Sequence, residues 1–207
     1  MHACSATIQA DPQRIDDGIR AVQEHAMPAL MDTDGCVGLS MFCDRESGRC
    51  IVTTSWTSEP ARHAAEERLR NEVGRVAEAV GAREVGVDEW EVAVLHRAFM
   101  APDGSVARAI RLRCDPASLP EALEDLPLTL LPRIDDTDGF CSLSLFVDRT
   151  TGDCLMTGIY ENRHRLEASR DRGEILREAM ARHMDMEITE VAELELPIHH
   201  RRVPWHA

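Results

Sequence analysis

The stretch from Asp32-Thr33-Asp34-Gly35 to Trp56 is written a second time, without a gap, as Asp136-Thr137-Asp138-Gly139 to Tyr160, 104 positions later. The register extends beyond it. Asp11-Pro12 aligns with Asp115-Pro116, Pro28 with Pro132, Glu89-x-Glu91 with Glu193-x-Glu195, and His96-Arg97 with His200-Arg201. Solenoid units run to about 20 to 50 residues, so a repeat of this length reads as a whole small domain present twice. It divides the chain into residues 1–99 and 100–207, each about 100 residues and large enough to bury its own core.

Within the repeat, Val37, Leu39, Met41 and Cys43 alternate with Gly38, Ser40 and Phe42, and Cys141, Leu143, Leu145 and Val147 alternate with Ser142, Ser144 and Phe146. Period two predicts strands. The turn-formers Asp44 to Gly48 and Asp148 to Gly152 then return the chain, so each half carries a central hairpin. Ahead of it, a strand over Ala3 to Ala10 is followed by Asp11-Pro12 as cap and first-turn proline, and Ile15, Ile19, Val22, Ala26 and Leu30 form a helical stripe. The second half repeats this from a strand over Val106 to Cys114, but Pro127 falls inside its stripe and predicts a kinked or split helix there against an uninterrupted one in the first half. A second helix opens at Ser58-Glu59-Pro60, and in the other half at about Asn162. Each half closes on a strand such as Trp90, Val92, Val94 and His96. Strand, helix, strand, strand, helix, strand is the ferredoxin-like order. The expected class is α+β, with two tandem ferredoxin-like (βαββαβ) domains whose sheets pack face to face and Ala98 to Val106 as linker.

Composition excludes several functions. A net charge of −14 argues against nucleic acid, which needs a concentrated basic face. The chain contains no lysine, which removes Schiff-base chemistry and a Walker-type phosphate loop. The seven cysteines form no C-x-x-C pair and read as small buried hydrophobes, which fits a reducing cytoplasm. No basic-then-apolar leader and no membrane-length apolar run is visible. Neither G-x-S-x-G, H-E-x-x-H nor a glycine-rich phosphate fingerprint occurs.

Four residues stand out as candidate ligand contacts. Trp56 ends the second strand of the first hairpin, where it either floors an aromatic-binding pocket or plugs the core; Tyr160 holds its place in the second half. His96 and His200 recur at one register and could act as acid, base or ligand, but the spacing of a zinc motif is missing, so no metal is expected. His63 and His164 read as solvated. Asp32-Thr33-Asp34-Gly35 lacks the later glycine and glutamate of a calcium loop and reads as a turn.

The D-G-(C/F)-x-x-L-S strand, the D-R-x-(S/T)-G turn and Trp56-Thr57-Ser58-Glu59-Pro60-Ala61 entering a helix resemble the antibiotic biosynthesis monooxygenase domain of the dimeric α+β barrel superfamily. The resemblance covers both halves. It implies a fused pseudo-dimer with a pocket between sheet and helices, used in some members for cofactor-free oxygenation of polycyclic phenols to quinones and in others for haem degradation. The family's pocket tryptophan falls on Trp56. The asparagine of the quinone-forming members would fall on Val52 and Met156, and the histidine of the haem-degrading members on Ala65 or Glu66.

Two readings stay open: a cofactor-independent monooxygenase acting on an aromatic or polyketide-like molecule, or a non-catalytic small-molecule-binding or stress-related domain pair. Neither uses a cofactor; zinc, flavin and nucleotide are not expected. Partners are a small aromatic ligand, the other half of the chain and a further copy in a homodimer, with no nucleic acid and no membrane. With Pro127 in one half and the larger indole in the other, the first half is expected to hold the better-formed apolar cavity.

Overall fold

The computed structural model describes residues 1–183 and 185–201. The first half contributes β1 (His2–Gln9), α1 (Ile15–Ala21), α2 (Met27–Met31), β2 (Cys36–Asp44), β3 (Arg49–Trp56), α3 (Glu59–Ala64), α4 (Glu66–Ala79) and β4 (Glu84–Arg97). The second contributes β5 (Val106–Arg113), α5 (Leu119–Thr129), α6 (Leu131–Asp135), β6 (Phe140–Val147), β7 (Asp153–Tyr160), α7 (Arg163–Ala168), α8 (Arg170–His183) and β8 (Glu187–Arg201). The chain is mixed α+β, and its eight strands are hydrogen-bonded in the order β1-β3-β2-β8-β5-β7-β6-β4. No described helix is long and apolar enough to cross a membrane.

Contacts divide the chain into two units, Met1–Trp90 with the chain from Glu195 onward, and Glu91–Leu194. The sequence boundary at 99/100 follows the repeat, whereas the contact boundary falls inside β4 and β8. In the first unit β3 lies between β1 and β2, and β2 also pairs with the end of β8, Leu39 opposite His200. In the second, β7 lies between β5 and β6, and β6 also pairs with the end of β4, His96 opposite Leu143. Each unit has its own core. Ile8, Ile15, Val22, Met41 and Trp56 are among the buried residues of one; Leu112, Leu119, Leu126, Phe140 and Leu145 are among those of the other.

The local signals act as their chemistry predicts. Asp11 accepts from the Gln13 N–H at 3.0 Å, Ser58 from Ala61 at 3.3 Å and Asn162 from Arg165 at 3.0 Å, each satisfying a donor that a helix start leaves free. Asp32 to Gly35 is a turn: Cys36 N–H reaches Thr33 O at 3.1 Å, and Gly35 sits at φ +82°, with Gly139 at +74° in the matching turn. All seven cysteines are free and buried.

The expected contrast between the first helices is corrected. In the first half, a π-helical turn over Val22–Ala26 separates α1 from α2, so that helix is interrupted as well. In the second half, α5 runs past Pro127 to Thr129, and the break falls at Leu130, before α6. Ala26 and Leu130 lie 104 residues apart, each two residues before a proline, Pro28 or Pro132. Proline supplies no N–H to the preceding turn, so the interruption belongs to the feature both halves share. The second helices are also split, at Ala65 and Ser169.

Candidate functional site

Each unit holds a cavity between sheet and helices, and the two occupy corresponding positions. Cys4, Ala6, Ala26, Leu30, Val52, Thr54, Leu69 and Val73 line the first. Arg108, Ile110, Leu130, Ile134, Met156, Gly158, Gly173 and Arg177 line the second, each 104 positions later. Counting the open mouth, the empty space is about 350 Å³ in the first and about 510 Å³ in the second. The sequence predicts the better-formed apolar cavity in the first half; its cavity is the smaller of the two and the more apolar, while the second adds arginine side chains to its lining. Leu69 and Val73 line the first cavity where Gly173 and Arg177 line the second.

Of the singled-out residues, Tyr160 lines the second cavity. Its ring meets Phe140 edge-on at 6.0 Å between centroids, and the Arg108 guanidinium lies 5.7 Å from its centroid. His96 stacks on the other side of this aromatic series, 6.3 Å from Phe140, with its Nε2 2.6 Å from Asp135 Oδ1. It is not among the lining residues. Trp56 is fully buried, and its indole N–H donates to Thr54 Oγ1 at 3.0 Å; it packs in the core of its unit without lining that unit's cavity. His200 is exposed on β8. His63 and His164 are exposed too. Val52 and Met156, where the resemblance places an asparagine, each line a cavity.

The polar wall of the second cavity is built around Arg108, a β5 residue only 4% exposed. It donates to Ser169 Oγ at 3.2 Å, to the Leu166 carbonyl at 3.0 Å and to Glu193 Oε1 at 3.0 Å. Arg170 also binds Glu193, at 2.6 Å. These hydrogen bonds, from Arg170 first and then Arg108, hold the Glu193 carboxyl below its ordinary range despite partial burial. The first unit meets the same need differently. Arg62, 3% exposed at the start of the second helix, binds Glu89 Oε1 at 2.6 Å, and the strand position is Cys4. The pair Arg62/Cys4 thus becomes Leu166/Arg108, so a buried guanidinium serves each glutamate but reaches it from helix in one unit and from strand in the other.

At the first site the polar groups are few. Glu72 is 7% exposed, with one carboxylate oxygen buried and unpartnered, and burial pushes the Cys4 thiol up to about 11, so it stays protonated. Among the described residues, no group of three or more His, Cys, Asp or Glu is arranged to hold a metal.

Arg108, Arg177 and Glu193 were missed as site residues from sequence. The available signal was departure from the repeat, an arginine opposite Cys4 and another opposite Val73.

No protein-family model matches the chain. A solved structure of a candidate monooxygenase from Lactobacillus acidophilus NCFM superposes with a TM-score of 0.72 at 10% identity, covering 97% of this chain and 96% of that one. An anthrone oxidase-like protein superposes with a TM-score of 0.66 at 14% identity, covering 100% and 95%. At these identities the likeness is one of fold alone. The uncharacterized protein Rv2557 of Mycobacterium tuberculosis is 37% identical over 204 residues, 99% of this chain and 91% of the relative. The chain therefore belongs to the same protein family as Rv2557.

Proposed function

We propose that this protein is a cofactor-independent monooxygenase of the antibiotic biosynthesis type, and that its second-half cavity holds an aromatic or polyketide-like substrate. The observation that carries the reading is the second cavity itself. It combines the apolar side chains of Ile110, Leu143 and Met156 with the polar groups of Tyr160, Arg108, Arg172 and Arg177, the make-up of a small-molecule site. The anthrone oxidase-like neighbour supports the choice of chemistry. In such a reaction a ring CH2 flanked by aromatic carbons loses a proton, and the carbanion gives electrons to O2. One oxygen atom becomes the new carbonyl and the other leaves as water, so CH2 and O2 balance C=O and H2O. The part left to the protein is to bind and orient the ring and to exclude bulk water.

Haem fits neither cavity well. Among the described residues, no histidine lines either one, and the cysteine that does, Cys4, keeps its proton. We also read the chain as two copies of one ferredoxin-like unit, 1–99 and 100–207. The repeated element order and the corresponding cavities support this.

A second reading, a non-catalytic small-molecule-binding pair, is favoured by one observation: among the described residues, no Asp, Glu or His lines the second cavity to take the substrate proton. Oxygen-electrode traces with a panel of anthrones and polycyclic phenols separate the two. Uptake of one O2 per quinone formed supports the monooxygenase; binding without uptake supports the binding module.

A further inference from the structure

We propose that the second-half cavity selects a small organic anion, whose negative group sits at the Arg177 end while its apolar body lies against Ile110, Leu143 and Met156. This rests on the reading that the second cavity is the ligand site. The first observation is an unmet donor: Arg177 Nη1 is buried and has no hydrogen-bond partner. A buried guanidinium N–H without an acceptor is unfavourable, and an anionic oxygen is its best acceptor.

The second observation is that the protein's own carboxylate there is already engaged. Glu193 is held by Arg108 and Arg170, and among the described residues no carboxylate lines the cavity. Arg108 is fixed by Ser169, Leu166 and Glu193, so it acts as a positive wall beside Arg177. Burial, and then the neighbouring Arg108 charge, push the Arg177 pKa down, against the smaller opposing pull of Glu174, Tyr160 and Glu193. A bound anion offsets the repulsion between the two arginines.

The third observation is that the site departs from its counterpart. An ideal Cβ on Gly173 would fall 2.8 Å from Arg108 Nη1 and 3.3 Å from Arg177 Nη1, so the missing side chain is what admits both guanidinium groups. The counterparts of Arg108, Gly173 and Arg177 are Cys4, Leu69 and Val73, which bring no charge to the first cavity. A concentrated positive patch in a chain of net charge −14 is local chemistry rather than bulk composition.

The test uses the full chain and three probes of one size: benzoate, neutral benzamide and cationic benzylammonium, titrated by NMR or calorimetry at neutral pH. Benzoate should bind about ten- to a hundredfold more tightly than benzamide, the usual range for a hydrogen bond to a charged group, with benzylammonium weakest. Arg177→Val introduces the first half's residue and removes a half-buried cation, so it should fold. It should abolish the preference, bringing benzoate affinity down to that of benzamide in the same variant. Arg177→Lys should restore part of the preference. Equal binding of benzoate and benzamide, or a preference that survives in Arg177→Val, overturns the anion selection while the cavity stands as the ligand site. Binding of none of the three overturns both.

Discussion

If one guanidinium per glutamate is what each unit requires, the two arrangements should be interchangeable. Arg108→Cys alone removes the contacts to Ser169 at 3.2 Å, Leu166 O at 3.0 Å, Glu193 at 3.0 Å and the Tyr160 ring at 5.7 Å. Severing a buried ion pair costs about 3–5 kcal/mol. Glu193 keeps Arg170 at 2.6 Å, so a value near the lower end, about 3 kcal/mol, is expected. Leu166→Arg alone exchanges a fully buried leucine for a second guanidinium beside the first, which should cost at least about 3 kcal/mol through crowding and unpaired charge. Combined, they rebuild the Arg62/Cys4 pattern that already binds Glu89 at 2.6 Å. Urea unfolding of all four proteins gives the cycle. The double variant should lose about 2–3 kcal/mol rather than the summed value of about 6, a favourable coupling of about 3–4 kcal/mol. Coupling within about 0.5 kcal/mol of zero would refute the exchange argument.

Other outcomes follow from the same geometry. Tyr160→Ala should weaken ligand binding more than Trp56→Ala, reversing the order expected from ring size, because Tyr160 lines the larger cavity and Trp56 lines neither; titration of both variants checks this. Trp56→Ala should instead cost about 3–5 kcal/mol of stability in denaturant unfolding. The folded-state pKa of Glu193 is depressed below 4.5, so its contribution is complete above about pH 4.5 and is lost as pH falls through the folded value. Glu193→Gln should accordingly be less stable at neutral pH and show a flatter loss of stability below about pH 4.5 in acid titrations. The buried thiols, with Cys43 and Cys154 pushed up to about 12 and Cys4, Cys50 and Cys141 to about 11, should resist a thiol reagent at pH 8 until denaturant is added.

Much of the fold was legible because its signals are local. The hairpins, caps and Gly35 and Gly139 turns each depend on a few neighbouring residues, and the structure places them where the pattern does. The interruption at Val22–Ala26 was not legible, since the stripe Ile19, Val22, Ala26 and Leu30 continues through a π-turn without a change in residue type. Nor was the contact boundary, because the alternation of β4 and β8 does not reveal where a strand passes from one unit to the other. At the site, Tyr160 was visible from its register with Trp56, but register cannot tell a wall of a cavity from a core plug. That distinction comes from residues far away in sequence: Leu69 and Val73 at one site, Gly173 and Arg177 at the other.

The central claim is that the second-half cavity is where a ligand binds. Methyl-labelled methionine tests it directly, because Met156 lines that cavity and Met41 lies fully buried in the core of the first unit. On titration with an aromatic ligand, the ring current should shift the Met156 methyl resonance in a saturable way and leave that of Met41 in place. Saturable shifts at Met41 with Met156 unmoved, or no methyl shift on binding, would contradict the account.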